Sequence, residues 1–332
     1  MNQLFNDHKK LSLGLLVLIL IVAPPFLKND YIIRIGISVL LYVVLASSLN
    51  VINGYSGQFN IGHAGFYCVG AYTAGILATR FGLSFWLLLI LSGLAAALFS
   101  CFLGIPTLRL KGVFLAITTL GFSEIIRLTI LNWTSLTRGP MGIPGIPFPV
   151  LFGMQLKSNI QFYYIILAIA ALMIFITQRL LNSRIGRAWI AIREDETAAK
   201  AMGVETFKYK LLNLMYGTFW AGVAGCFYAF FASYISADSF TLDEGFAILA
   251  MVLVGGQGNL LGPIVGASAL TILPEIFRFT AQYRLVIFGL AILVIMHLRP
   301  QGLAGSAMLS RRYKTGKKDS RSNSDTVVGE VS

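Results

Sequence analysis

The sequence predicts an all-α, polytopic membrane bundle of about 8–10 transmembrane helices, with an internal repeat and glycine-interrupted segments. Three observations predict it. Only 12% of the residues are charged, against roughly 25% in a soluble domain. Hydrophobic residues make up 56% of the chain and fall in runs of membrane-spanning length, roughly 17–25 residues. Polar, glycine-rich stretches of one pattern interrupt the apolar sequence at two places. So much hydrocarbon on 332 residues excludes a soluble enzyme, a secreted disulfide scaffold and a disordered regulator. The three cysteines, Cys68, Cys101 and Cys226, lie inside apolar runs and match no metal-ligand spacing, so no metal is expected.

The apolar runs stand at 11–27, 33–52, 61–79, 84–105, 112–131, 160–178 and 211–231, then as an interrupted run at 245–273 and a last one at 284–298. The first follows Lys9-Lys10 as a signal peptide would. However, Pro24-Pro25-Phe26-Leu27 is a poor small-residue cleavage site, so it reads as a retained helix.

The net charge of +12 is not spread evenly: seven Lys or Arg lie in 179–210 and seven from Arg299 onward, each group beside an apolar run. That pattern sets topology and meets anionic headgroups of the lipid bilayer; it is not a nucleic-acid footprint. By the same count the N-terminus, the 179–210 loop and the tail are cytoplasmic. The connection 232–244, with Asp238, Asp243 and Glu244, and the Gly/Pro-rich loop 132–159 are external. Termini on one side require an even number of crossings, and splitting 245–273 about Gly255–Gly262 gives ten. Residues 1–304 then form the transmembrane domain, and 305–332 a basic, disordered cytoplasmic tail.

The first interruption reads Asn53-Gly54-Tyr55-Ser56-Gly57-Gln58-Phe59-Asn60-Ile61-Gly62-His63 and the second Gly255-Gly256-Gln257-Gly258-Asn259. Both contain Gly-Gln-x-Asn, 199 residues apart, and both are followed shortly by Gly-Ala, which indicates an internal duplication. Glycine permits the helix to unwind, and unwound backbone at membrane depth is tolerated only against protein or a water-lined cavity. Paired breaks in two halves point to a transport pathway. Its expected lining is Ser56, Gly57, Gln58, Asn60 and His63 with Gly255, Gly256, Gln257 and Asn259. Tight helix packing is the competing reading of the small residues, against which the Gln and Asn side chains weigh. Glu124 and Arg127, at i,i+3, pair with each other, and no ladder of buried acids suggests a proton pump.

The stretch from Ser183 to Gly203 differs from the rest. Ala188, Ile192, Ala199 and Met202 fall close to one helical face with charges elsewhere, predicting a short amphipathic cytoplasmic helix that ends at Gly203. A membrane-surface helix and a partner-docking helix both fit this pattern.

The block Gly186-Arg187-Ala188 through Ile192-Arg193-Glu194-Asp195-Glu196 to Gly203 resembles the coupling loop of branched-chain amino acid ABC transporter permeases, the LivM family. Ala198-Ala199 with Gly203 follows the Ala-Ala-x3-Gly part of the general importer loop. Thr197 stands where that loop has Glu, Glu196 lies one place early, and Asn213 stands where it has Ile. The resemblance extends to Leu49-Asn50, Ser56–Phe66, Thr137–Ile143 and Arg299-Pro300-Gln301-Gly302-Leu303, and so covers about 49–303.

The resemblance implies the permease subunit of a binding-protein-dependent importer in the bacterial inner membrane. Its implied partners are a second, homologous LivH-like permease, two cytoplasmic LivG/LivF-like ATPases and a periplasmic amino-acid-binding protein. It also implies Arg187, Arg193, Glu194, Asp195, Glu196, Ala199 and Gly203 as ATPase-coupling residues. The chain carries no Gly-x4-Gly-Lys-Ser/Thr loop, so ATP is expected on the partner subunits and the chain itself is expected to be neither an enzyme nor a cofactor binder. Urea and short-amide permeases share much of the pattern. A stand-alone ion-coupled transporter is the alternative from another class, and a membrane-embedded enzyme lacks any constellation of catalytic groups.

Overall fold

The computed structural model describes residues 29–276 apart from 111, 152 and 153, together with 289, 302 and 303. The expected first helix at 11–27, the apolar run at 284–298 and the tail lie outside the described residues. Apart from the one-turn helix Thr134–Thr137, ten α-helices organise the described residues: α1 (Asp30–Asn50), α2 (His63–Phe81), α3 (Phe85–Thr107), α4 (Val113–Asn132), α5 (Asn159–Leu181), α6 (Arg184–Glu194), α7 (Glu196–Ala201), α8 (Thr206–Ala232), α9 (Leu242–Gly255) and α10 (Leu261–Ile276). The fold is the all-α membrane bundle expected from sequence.

Among the described residues five stretches are long and apolar enough to cross a membrane: α1 with its extension to Tyr55, α3, α4, α5 and α8. A helix of 20 residues spans about 30 Å, the hydrocarbon thickness. The described part of the expected 245–273 run forms two shorter helices, α9 of 14 residues and α10 of 16. They turn back on each other at Gly256–Leu260, and the far end of α10 returns Glu275 to Tyr31 near the start of α1.

α2 and α8 form the centre. α2 is buried along most of its length from His63 to Ala78, so its Gly, Tyr, Thr and His residues need not match lipid. Small residues bring the backbones together. Gly70 of α2 faces the backbone of Gly222 in α8; Gly222 faces Ser92 and Ala96 of α3, and Gly225 faces Tyr67 and Ala71 of α2. Around this centre Phe85, Phe227 and Phe230 are fully buried. The single chain's outer surface shows Ile90, Leu94, Leu98 and Phe102 on α3 and Phe114, Ile117 and Ile125 on α4, as hydrocarbon contact requires.

The connections alternate between two ends. At one end, β1 (Ile143–Pro144) pairs antiparallel with β4 (Tyr234–Ile235), joining the 133–158 loop to the 233–241 connection, while β2 (Val150–Leu151) pairs with β3 (Met154–Gln155). The other end carries the basic segment 182–205 and both glycine interruptions. Arg127 grips Glu124 with Nε 3.0 Å from both carboxylate oxygens, the expected intrahelical pair, and its Nη1 lies 3.9 Å from Asp238 of the 233–241 connection.

The glycine seam gives a testable contrast. A Cβ at Gly222 meets backbone of α3, whereas at Gly121 of α4 it meets nothing within 4 Å. Gly222→Val should therefore destabilise the detergent-solubilised chain by at least about 2 kcal/mol through overpacking. Gly121→Ala should be neutral or stabilising by about 0.5–1 kcal/mol. Thermal unfolding followed by size-exclusion chromatography distinguishes the two; equal melting temperatures would refute the seam.

Candidate functional site at the paired glycine breaks

The first break begins where α1 widens into a π-helical turn, Val51–Tyr55, and then runs without helix to Gly62. Helix ends leave carbonyls and amides without intrahelical partners, and in lipid these must be met by protein. Asn213 Nδ2 of α8 donates to the Val51 carbonyl at 3.0 Å. Arg193 Nη1 of α6 donates to the Gly54 carbonyl. Asn53 uses both ends of its amide on Asn60: its Oδ1 accepts from the Asn60 N–H at 3.1 Å and its Nδ2 donates to the Asn60 carbonyl at 3.2 Å. Thr119 Oγ1 of α4 accepts from the Ile61 N–H at 3.1 Å.

Gln58 turns inward. Its Nε2 lies 2.9 Å from Ser56 Oγ, 3.0 Å from the Lys210 carbonyl and 3.2 Å from Asn213 Oδ1. His63 Nε2 and Ser48 Oγ are 2.7 Å apart. Ser56, Gln58, Asn60 and His63 are all buried in the chain's own fold, while Gly57 is exposed. Within the chain's own fold Ser56, Gln58 and His63 therefore tie the break down with their side chains.

The second break is shorter. α9 ends at Gly255, Gly256 and Gly258 take positive φ of 111° and 73°, and α10 starts at Leu261. Asn259 Oδ1 accepts from the Leu261 N–H at 3.2 Å, capping α10. The N–H of Leu303 donates to the Val254 carbonyl at 2.8 Å, and Gly302 lies against Gly256. Gly255 and Gly256 are buried, with Gln257 and Asn259 half-buried.

The two breaks meet at Asn50. Its Oδ1 accepts from the Gly258 N–H at 2.9 Å and its Nδ2 donates to the Asn259 carbonyl at 3.0 Å. Neither Asn50 nor Asn213 belongs to the lining expected from sequence. The available signal was an Asn among apolar neighbours on a membrane helix, which is costly unless it faces a partner.

The 184–203 segment is a correction to the sequence reading. It forms two helices, α6 and α7, and not a single amphipathic one. Asp195 interrupts with extended dihedrals (φ −154°, ψ 112°) and its carboxylate caps α7, accepting from Thr197 and Ala198 N–H at 2.7 and 3.0 Å. The apolar face is buried against the bundle itself: Trp189 is 1% exposed, packs with Val51 and Tyr55, and donates from Nε1 to the Tyr209 carbonyl at 2.8 Å. Met202, placed on that face from sequence, is 84% exposed; the chain leaves the helix at Gly203, φ +83°.

The residues that the resemblance implies for ATPase coupling divide accordingly. Arg193, Glu196 and Ala199 face the bundle, and Glu196 pairs with Lys210 of α8 at 2.8 Å and with Lys200 at 3.6 Å. Arg187, Glu194, Asp195 and Gly203 are exposed, beside Ala198, Ala201, Met202 and Phe207.

Membrane-length helices, two glycine breaks joined to each other, and a polar two-helix segment that bonds the first break and touches the second define a transport permease. Residues 31–296 match the family described as the branched-chain amino acid transport system permease component, and the chain belongs to that family. The high-affinity branched-chain amino acid transport permease LivM of Salmonella typhimurium is 36% identical, over 91% of this chain and 76% of its own length. LivM of Escherichia coli is 36% identical over 90% and 76%. LivH of Salmonella typhimurium is 26% identical over 80% of this chain and 91% of its own. The chain is thus a multi-pass membrane subunit of an ABC transport system that includes other subunits.

Two predictions test the joint. Asn213→Leu leaves the Val51 carbonyl without its donor and should destabilise the chain by about 1–3 kcal/mol. Thr218→Val, which removes only a hydroxyl bonded within its own helix, should be near neutral; similar melting temperatures for both would contradict the assignment. Glu196→Lys should lower transport while leaving membrane insertion intact, and adding Lys210→Glu should restore part of it. Failure of the double variant to exceed the single one would show that the Glu196–Lys210 pair is not the cause.

Proposed function

We propose that the chain is the transmembrane permease subunit of an ABC importer that moves branched-chain amino acids across the bacterial inner membrane. One observation carries this reading beyond family membership. The α6–α7 segment is bonded inward to the first break and touches the second at Gly258, while its outer side presents Ala198, Ala201 and Met202, with Phe207 of α8 beside them. A docking helix needs both faces, one for the engine and one for the load.

Two cytoplasmic ATPases bind below, one of them on the α7 face, and a second, homologous permease completes the conduit. The seven Lys or Arg between 179 and 210 support a cytoplasmic side for this end, and Lys9-Lys10 and the basic tail support the same side for both termini. ATP is held by the partners, since this chain has no phosphate loop. ATPase closure binds one permease state better than the other, and that differential is the source of work. The breaks are the hinges about which the halves of the permease rock. A periplasmic binding protein delivers the solute at the 133–158 and 233–241 end. An added methylene is worth only about 1–3 kcal/mol in an apolar pocket, so the binding protein makes the stricter choice among side chains and the permease offers a weaker, passable site.

The test is reconstitution with a second, homologous permease, the two ATPases and a periplasmic amino-acid-binding protein. Leucine uptake should require ATP and resist a protonophore. Met202→Asp, which puts a charge on the docking face, should reduce uptake about tenfold or more, a loss of about 1.4 kcal/mol in docking, with the permease still inserted. Uptake driven by a proton gradient in the absence of ATP would overturn the proposal, and uptake of urea or short amides in place of leucine would overturn the substrate.

A further inference from the structure

We propose that Arg193 is a latch between the two glycine breaks, a positioning residue through which movement of α6 reaches both at once. The inference rests on the function proposed above and adds the path by which force enters. Arg193 leaves the last turn of α6 and donates from Nη1 to the Gly54 carbonyl in the first break. A Cβ at Gly258 in the second break collides with the same Nη1, so the guanidinium touches that backbone as well. The stem of Arg193 covers Gly57, where a Cβ would lie 3.3 Å from Cγ. One side chain therefore contacts 54, 57 and 258, positions otherwise 204 residues apart at their extremes.

The electrostatics explain why a cation sits there. α1 ends in its π turn at Tyr55 and α9 ends at Gly255, so two helix C-termini converge on the guanidinium. Each carries partial negative charge on the carbonyls of its last turn. The helix ends serve the guanidinium as counter-charge. A planar fork with several donors also suits two carbonyl-rich segments better than a point ammonium does.

The mechanics follow from what is fixed around it. Trp189, one turn earlier on α6, is buried against Val51 and Tyr55, so α6 and the first break move as one body. The second break joins that body through Asn50 and Arg193. Gly258 is required at this contact twice over, for its positive φ and for the absence of a Cβ.

The experiment uses the full chain in lipid nanodiscs and the assembled importer in proteoliposomes, with Arg193→Ala, Arg193→Lys and Gly258→Ala. In the chain alone, amide exchange across 255–261 should rise about tenfold in Arg193→Ala and Gly258→Ala and less in Arg193→Lys, as local opening becomes easier. In the importer, the ATPases should still co-purify, and leucine moved per ATP hydrolysed should fall about tenfold in the first two variants. Unchanged exchange in both overturns the latch whatever transport does. Loss of the ATPases in Arg193→Ala, with Gly258→Ala transporting normally, also overturns it and makes Arg193 a docking residue. Raised exchange with a parent importer that neither binds ATPases nor moves leucine leaves the latch standing and refutes the proposed function.

Discussion

Backbone that unwinds inside a membrane has no water to turn to, and this constraint organises the molecule. The chain breaks helix twice, and most of the side chains singled out above answer the amides and carbonyls so released. Asn213 meets Val51, Asn53 meets Asn60, Thr119 meets Ile61, and Asn50 meets both Gly258 and Asn259. These side chains come from α1 and the π turn that extends it, from α4 and from α8, so satisfying the breaks also ties three membrane helices together. The polar residues of a predominantly hydrocarbon protein gather where the ladder of helical bonds is missing.

The same arrangement separates what is rigid from what can move. The α2–α8–α3 centre is held by backbone-to-backbone contact at Gly70, Gly222 and Gly225, which has no intermediate setting. The breaks are held by single side-chain hydrogen bonds with rotatable stems. A bond of that kind contributes about 0.5–1.5 kcal/mol net and can be exchanged for another, whereas overlapping backbone cannot. Motion therefore belongs at the joint, and the joint is where α6 and α7 attach.

Much of this was legible in the sequence. Low charge, run length and Lys/Arg distribution predicted the bundle, and the split of 245–273 about Gly255–Gly262 corresponds to the turn between α9 and α10. Gly-Gln-x-Asn marked both breaks because glycine clusters and buried amides are each improbable in an apolar helix. What the pattern did not reveal was direction. Periodicity gives a face, not its neighbour, so the apolar side of 184–203 fitted a membrane surface or a docking partner, whereas Trp189 and Ile192 pack onto the chain's own core. Asp195 carried the signal for the split, an N-cap residue ahead of Thr-Ala-Ala, but the apolar periodicity outweighed it. Asn213 departed from the general importer pattern, and the structure supplies the reason: it is the acceptor for Gln58 and the donor to Val51.

The strength of the joint sets what a partner must supply. The two bonds from Asn50 amount to about 1–3 kcal/mol, and a cation lodged between two helix ends adds up to about 2 kcal/mol when partly buried. Reversing a two-state equilibrium from 1:99 to 99:1 takes about 5.5 kcal/mol of differential binding. A joint of roughly this strength stays closed at rest yet lies within reach of one docked helix. A joint built instead on the glycine seam would be immovable, and one held by Asn50 alone would drift open without a signal. The placement of polar side chains at the breaks, and of small residues everywhere else in the centre, is what keeps the hinge between those limits.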